Sequence, residues 1–252
     1  MEHRFSRTEL LIGNSGLAKL HKSTVIIFGV GGVGSFAVEA LARAGVGHLV
    51  LVDNDDISLT NINRQLHALH STVGEAKVEG MKRRILEINP EAKVETIKEF
   101  YSVANAERLL DQELDYVIDA IDTVSSKVIL AKECLLRKIP LISSMGAGNR
   151  LTAENYRVTD ISKTSGDPLA KVMRKLLRQE GITKGVKVVS TPDLPLTPLS
   201  PEDDSLNDDI LICSSEDARC LTKRQIPGSI SFVPSVVGLL IAGEVVRDLL
   251  QD

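Results

Sequence analysis

The stretch Thr24 to Gly34, TVIIFGVGGVG, constrains this chain more than any other. Val25, Ile26, Ile27 and Phe28 form a short continuous apolar run, the pattern of a strand buried on both faces of a parallel sheet. Gly29, Gly31 and Gly34 then fit G-x-G-x-x-G, and Gly32 adds a fourth glycine. The next helix is expected over Ser35 to Ala44, where Phe36, Ala37, Ala40, Leu41 and Ala44 recur at helical spacing. A helix start presents unpaired N–H groups and a partial positive charge, and glycines let a phosphate come close to the backbone. Leu49 to Val52 reads as the following strand and ends at Asp53, nineteen positions after Gly34. A carboxylate there can bond ribose hydroxyls. Strand, glycines, helix, strand and acid in register predict a nucleotide site; the alternative is a tight turn in an ordinary α/β domain.

The same alternation continues. Asn54 to Val73 is a polar loop with room for a helical turn or two, and Lys77 to Asn89 reads as a helix stopped by Pro90. Strands are expected at Val94–Ile97, Tyr116–Ala120 and Leu141–Ser144, with a helix over Val128–Lys138. The fold class is therefore α/β, a Rossmann-like, doubly wound and mostly parallel sheet with right-handed crossovers. Residues 151–252 are less regular and form a C-terminal extension to a nucleotide-binding core over residues 1–150, within one domain. The extension holds a strand at Tyr156–Asp160, a helix at Pro168–Gln179 and a strand at Val186–Ser190. Thr191 to Asp209, rich in proline and acids, reads as a mobile loop. Ile230 to Leu250 is apolar, but Pro234, Glu244, Arg247 and Asp248 interrupt it, which suits a docking helix rather than a membrane span.

Composition narrows the function. With 252 residues, 43% hydrophobic and 25% charged, the chain is of soluble globular type. Trp is absent and aromatics make up 3%, so RNA binding on several stacking platforms is excluded. Cys134, Cys213 and Cys220 form no C-x-x-C pair, so a four-cysteine zinc site and a disulfide framework are excluded, and Cys213 and Cys220 are expected to be inert. The N-terminus lacks the apolar core of a signal peptide, which points to the cytoplasm.

Charged residues then cluster between Asp53 and Asp122. Asn61, Arg64 and Gln65 follow the ribose acid closely, and Lys77 opens the next helix. In a doubly wound sheet these stand above the carboxyl ends of the strands, beside the glycine loop. A guanidinium and an ammonium suit a triphosphate better than a nicotinamide dinucleotide, because a triphosphate carries more charge to compensate. Asp122, past the fourth strand, faces the same crevice. A carboxylate beside phosphates is costly unless a cation intervenes, so its economical role is a magnesium ligand.

GVGGVG, LVDNDDISLTNINRQ, TVGEAK and DAIDT resemble the adenylating proteins of the ThiF/MoeB/HesA group, relatives of ubiquitin-activating enzymes. The resemblance implies that ATP is held by Gly29, Gly31, Gly32, Gly34, Asp53, Asp55, Asn61, Arg64, Gln65, Lys77 and Asp122, with magnesium on Asp122. Arg64, Lys77 and Asp122 would be catalytic. So would Arg7, in RFSR, which matches the family arginine that reaches into a neighbouring subunit's site; a homodimer follows. NRQLHALHSTVG, VIDAIDTVSSK, KIPLISSMGAGNR and VTDISKTSGDPLAKVMR resemble the tRNA threonylcarbamoyladenosine dehydratase branch of that group. That likeness implies ATP-dependent ring closure on the modified adenosine beside a tRNA anticodon, and leaves a sulfur-relay or other accessory protein open as a further partner.

A tRNA contact is expected on the helix Pro168–Gln179. Leu169, Val172, Met173, Leu176 and Leu177 make its buried stripe, and Lys171, Arg174, Lys175 and Arg178 its exposed basic face, suited to phosphate-backbone contact. Arg150 is expected near the substrate carboxylate. Two other readings stay open: adenylation of the C-terminus of a small ubiquitin-like carrier, and a nicotinamide-dependent oxidoreductase.

Overall fold

The computed structural model describes residues 3–198 and 227–251. In chain order they form α1 (Ser6–Lys22), β1 (Thr24–Phe28), α2 (Gly34–Ala44), β2 (His48–Val52), α3 (Lys77–Ile88), β3 (Lys93–Ile97) and α4 (Val103–Leu110). There follow β4 (Tyr116–Asp119), α5 (Val124–Arg137), β5 (Leu141–Ser144), β6 (Arg157–Asp160), α6 (Pro168–Gln179), β7 (Lys187–Ser190) and α7 (Phe232–Gln251). One seven-stranded sheet runs β3-β2-β1-β4-β5-β7-β6, parallel throughout except for the antiparallel pair β6–β7 at its edge.

The apolar run of β1 is buried because helices cover both faces. Val25 and Ile27 pack with Leu41 of α2, Met81 of α3 and Ile241 of α7, while Ile26 and Phe28 pack with Leu109 of α4 and Leu130 of α5. Met173 and Leu177 of α6 join Ala131 of α5 and Val188 of β7 in a smaller cluster. β7 and β6 thus extend the sheet that the first half begins. α7 lies along α2 and is fastened at its far end: Tyr116 Oη donates to Asp248 at 2.6 Å, and Lys187 Nζ donates to Glu244 at 2.9 Å and Asp248 at 2.5 Å. Among the described residues no helix is long and apolar enough to cross a membrane.

Several expectations need correction. α4 was not anticipated: its eight residues bury only Ala106, Leu109 and Leu110, too short a stripe to reveal a period. α5 starts at Val124 rather than Val128, because its first turn carries polar residues, two of which, Ser126 and Lys127, are buried. Residues 191–196 are not a free excursion: Arg150 and Asn155 bond Asp193, and Leu196 N–H donates to Asn149 O at 2.7 Å. The rest of the expected mobile loop beyond Pro198, with Cys213 and Cys220, lies outside the described residues. Cys134 is buried, and that burial pushes its thiol up to about 12, in keeping with an inert residue.

Candidate functional site

A cavity of about 490 Å³ opens above the carboxyl ends of the strands. It lies within the roughly 300–1,000 Å³ of small-molecule sites and at the topological switch point of the sheet. Gly29, Gly31 and Gly32 form one wall, Asp53, Asp55, Asn61, Arg64, Gln65 and Lys77 another, and Asp122 with Gly146, Ala147 and Gly148 the third. Sequence-separated residues meet here because β1, β2, β4 and β5 all end at this edge.

The glycine loop is held by the acid at the end of β2. Asp53 Oδ2 accepts from Val30 N–H at 2.6 Å and Oδ1 from Asp55 N–H at 2.9 Å. Burial raises the Asp53 carboxyl above its usual range, against the pull of the nearby Lys77 charge and these two amides. Gly31 has open space where a side chain would stand, its nearest neighbour being Gln65 Nε2 at 3.8 Å, whereas Gly32 is crossed by the stem of Arg64.

The cations differ in their commitments. Lys77, only 6% exposed, donates to Asp55 Oδ2 at 2.6 Å. Arg64 donates to Thr60 O and Asn63 Oδ1, both at 2.8 Å, and has no acidic partner among the described residues. Burial lowers its pKa from the usual guanidinium value. Asn61 closes a 3-10 turn by accepting from Ser58 N–H at 3.1 Å, and buried Gln65 Oε1 lacks a partner among the described residues. Behind them His67, 3% exposed, has its pKa pushed down to about 4 by burial and then by Lys77. A guanidinium without a counter-ion among the described residues, a buried ammonium and accessible glycine backbone make a wall suited to a polyanion.

Asp122 is exposed at the cavity, its Oδ1 accepting, among the described residues, only from Thr123 Oγ1 at 3.3 Å. The turn that presents it is fixed from below by residues the sequence reading did not assign. Asp119 and Lys127, both fully buried, pair at 3.0 Å; Ser143 Oγ donates to Asp119 at 2.5 Å, and Lys127 Nζ donates to Ile121 O at 3.1 Å. A lysine on the otherwise buried side of α5 was the available signal, since such a charge needs a partner.

Other expected site residues lie elsewhere. Gly34 does not line the cavity; its place is against Gly29. Arg7 is exposed on α1, outside the cavity and without a partner among the described residues. Arg150 is not poised for substrate: it is buried, and donates to Gly146 O at 3.3 Å and Asp193 O at 2.6 Å. On α6, Lys171, Lys175 and Arg178 are exposed as expected, but Arg174 is half-buried and donates to Thr164. Val172 is 44% exposed, and Ala170 takes its place in the buried stripe. A second hollow, of about 410 Å³, contains Arg4, Arg43 and Arg84, but all three are committed to Asn89 or Glu39.

The ThiF family model matches residues 5–252. A tRNA threonylcarbamoyladenosine dehydratase of Bacillus subtilis is 52% identical over 253 aligned positions, covering 100% of this chain and 96% of that protein. Its Escherichia coli counterpart is 43% identical over 185, covering 73% and 69%. The E. coli enzyme, TcdA, solved in complex with ATP, superposes with a TM-score of 0.84 at 33% identity, covering 98% of this chain and 94% of that one. It has also been solved in complex with AMP, where the TM-score is 0.85. The chain belongs to the ThiF family and, within it, to the tRNA threonylcarbamoyladenosine dehydratases.

Proposed function

We propose that this chain is an ATP-dependent, tRNA-modifying dehydratase acting in the cytoplasm, which activates the carboxylate of threonylcarbamoyladenosine and closes it into a ring. The observation that carries this reading is Arg64, a guanidinium without a counter-ion among the described residues, beside buried Lys77 and an open Gly31. Those groups favour a triphosphate over a dinucleotide, and the relatives solved with ATP and AMP support the same nucleotide.

A carboxylate is a poor electrophile, so the reaction needs a leaving group on it. A carboxylate oxygen attacks the α-phosphorus, the bond to the β-phosphate breaks and pyrophosphate departs. A nucleophile within the same side chain then attacks the acyl carbon, and the C–O bond to AMP breaks. Asp53 holds the glycine loop and keeps lone pairs for ribose hydroxyls. Arg64 and Lys77 compensate phosphate charge, and binding aligns the two reactants. Among the described residues no three acids, histidines or cysteines cluster as a closed metal site. One exposed carboxylate at a phosphate site nonetheless fits magnesium, which takes few protein ligands and completes its shell with phosphate and water. Asp122 would hold that ion, which would shield the triphosphate from the carboxylates.

Asp122→Asn is expected to abolish tRNA-dependent ATP–pyrophosphate exchange while leaving the melting temperature unchanged. Full turnover in that variant would remove the metal role. Arg7, exposed on α1 and without a partner among the described residues, is suited to reach the site of a second copy in a homodimer.

α6 starts at the cavity, since Leu169 in its first turn lines it, and its basic face runs on from there. Changing Lys171, Lys175 and Arg178 together to Ala is expected to raise the tRNA KM at least about tenfold near 150 mM salt. The salt dependence of tRNA affinity should flatten as well. Unchanged salt dependence would make the face an ordinary solvated one.

The reaction class is tested by mass spectrometry of nucleosides from tRNA incubated with the protein and ATP. Loss of one water from threonylcarbamoyladenosine is expected; an acyl-AMP on a carrier-protein C-terminus instead would overturn the reading.

A further inference from the structure

Along the strand ends, the order β2, β1, β4, β5 sets Asp53, the glycine loop, Asp122 and residues 146–148 in a row. A nucleotide with its ribose at Asp53 and its phosphates over β1 leaves the β5 end for the group being activated.

At that end Gly146 is gripped from several sides. Its N–H donates to Asp167 Oδ2 at 2.9 Å, and its carbonyl accepts from Tyr156 Oη at 2.6 Å and Arg150 Nε at 3.3 Å. All three side chains are at most 6% exposed. Asp167 is itself fixed as the N-cap of α6, accepting from Leu169 and Ala170 N–H. The loop's far end is pinned too. Asn149, with φ 57°, donates its N–H to Gly228 O at 2.7 Å, and its Oδ1 accepts from Gly228 N–H at 2.6 Å.

This grip has a directional consequence. Gly146 O and Ala147 N–H belong to one peptide plane, and a trans peptide sets them on opposite sides. With the carbonyl drawn towards Tyr156 and Arg150, neither of which lines the cavity, the Ala147 N–H is turned the other way. Ala147 and Gly148 both line the cavity, and neither N–H has a partner among the described residues.

We propose that the Ala147 and Gly148 N–H groups form the subsite for the acyl oxygen of the activated substrate, with Tyr156 and Arg150 as the positioning residues that aim it. The inference rests on the adenylating function above. During ring closure the internal nucleophile adds to the acyl carbon and the C=O electron pair moves onto oxygen. As that pair returns, the C–O bond to AMP breaks, AMP leaves with the bonding pair, and the nucleophile's proton passes to solvent. Two fixed N–H donors stabilise the oxygen when it carries charge, which is during ring closure more than during attack on phosphorus.

The test separates the two steps in Tyr156→Phe and Arg150→Lys, using tRNA that carries threonylcarbamoyladenosine. Adenylation is read by tRNA-dependent ATP–pyrophosphate exchange, and ring closure by single-turnover formation of the dehydrated nucleoside. Exchange is expected within about twofold of the parent, with ring closure slowed on the order of 10–100-fold. Retained exchange also reports that the fold is intact, and Tyr156→Phe, which keeps the ring, suffices if Arg150→Lys does not fold. Equal losses in both steps, or no loss in ring closure, would overturn the proposal. A parent protein that catalyses no exchange would instead overturn the adenylating function itself.

Discussion

Lys77→Met lowers kcat/KM for tRNA-dependent ATP–pyrophosphate exchange by about 10²–10³-fold, the cost of losing one fixed charge that stabilises a transition state. Its melting temperature stays close to that of the parent. The two halves of this expectation follow from different neighbours. The ammonium is buried, but its partner Asp55 has a side chain 55% exposed, so removal of the cation leaves a carboxylate that water can solvate. An ion pair of that kind contributes about 0–1 kcal/mol, and Met fills the vacated volume without a desolvation cost. A triphosphate bound as proposed would have no such escape, because its charge would lie where Lys77 enters the cavity wall. His67 supplies an internal check. Burial and then the Lys77 charge push its pKa down to about 4. A histidine depressed below its ordinary 6.5 contributes stability that is present at neutral pH and is lost as pH falls from 6.5 towards 4. In Lys77→Met the His67 pKa rises from that value but stays below 6.5, since burial remains. Proton NMR titration of His67 reads the shift. Exchange activity within a factor of about ten of the parent would remove Lys77 from the phosphate site.

The cavity wall around the glycine loop was legible because its signals are local. An apolar run, a glycine pattern and an acid at a strand end are spaced by the geometry of one β-α-β unit, so Gly31 and Asp53 could be placed without tertiary information, and the doubly wound topology put Arg64 and Lys77 beside them. The β5 end of the cavity was not legible. The grip on Gly146 depends on Tyr156, Asp167 and Arg150, which come from separate loops and elements and meet only once β5, β6 and β7 are side by side. The sequence reading placed Arg150 near the substrate carboxylate, yet its Nε and Nη1 donate to backbone carbonyls. Asp119 and Lys127 escaped for the same reason. A charge inside the fold is recognisable only with its partner, and that pairing joins the end of a strand to the first turn of the next helix.

The glycines of the motif separate folding from binding. Gly34→Ala is expected to leave no soluble folded protein, and Gly31→Ala to fold normally and bind ATP at least about tenfold more weakly. A Cβ at Gly34 would stand 1.9 Å from Gly29 O, and the obstacle is backbone that cannot swing aside. Alanine at the first position of α2 gains at most about 1 kcal/mol in helix propensity over glycine, the figure for a helix interior. Parting the helix from the strand end it packs on costs more than about 4 kcal/mol, a large share of the 5–15 kcal/mol that holds a typical domain together. Steric exclusion therefore decides the outcome. At Gly31 the same methyl meets only Gln65 Nε2 at 3.8 Å, an ordinary contact, so the free protein accepts it. The methyl then occupies space on the cavity wall where a phosphate would approach the loop amides. Thermal melts and calorimetric titration with ATP distinguish the two substitutions. Gly34→Ala melting with the parent would show that the helix–strand contact yields, and unchanged ATP affinity in Gly31→Ala would move the phosphates away from this loop.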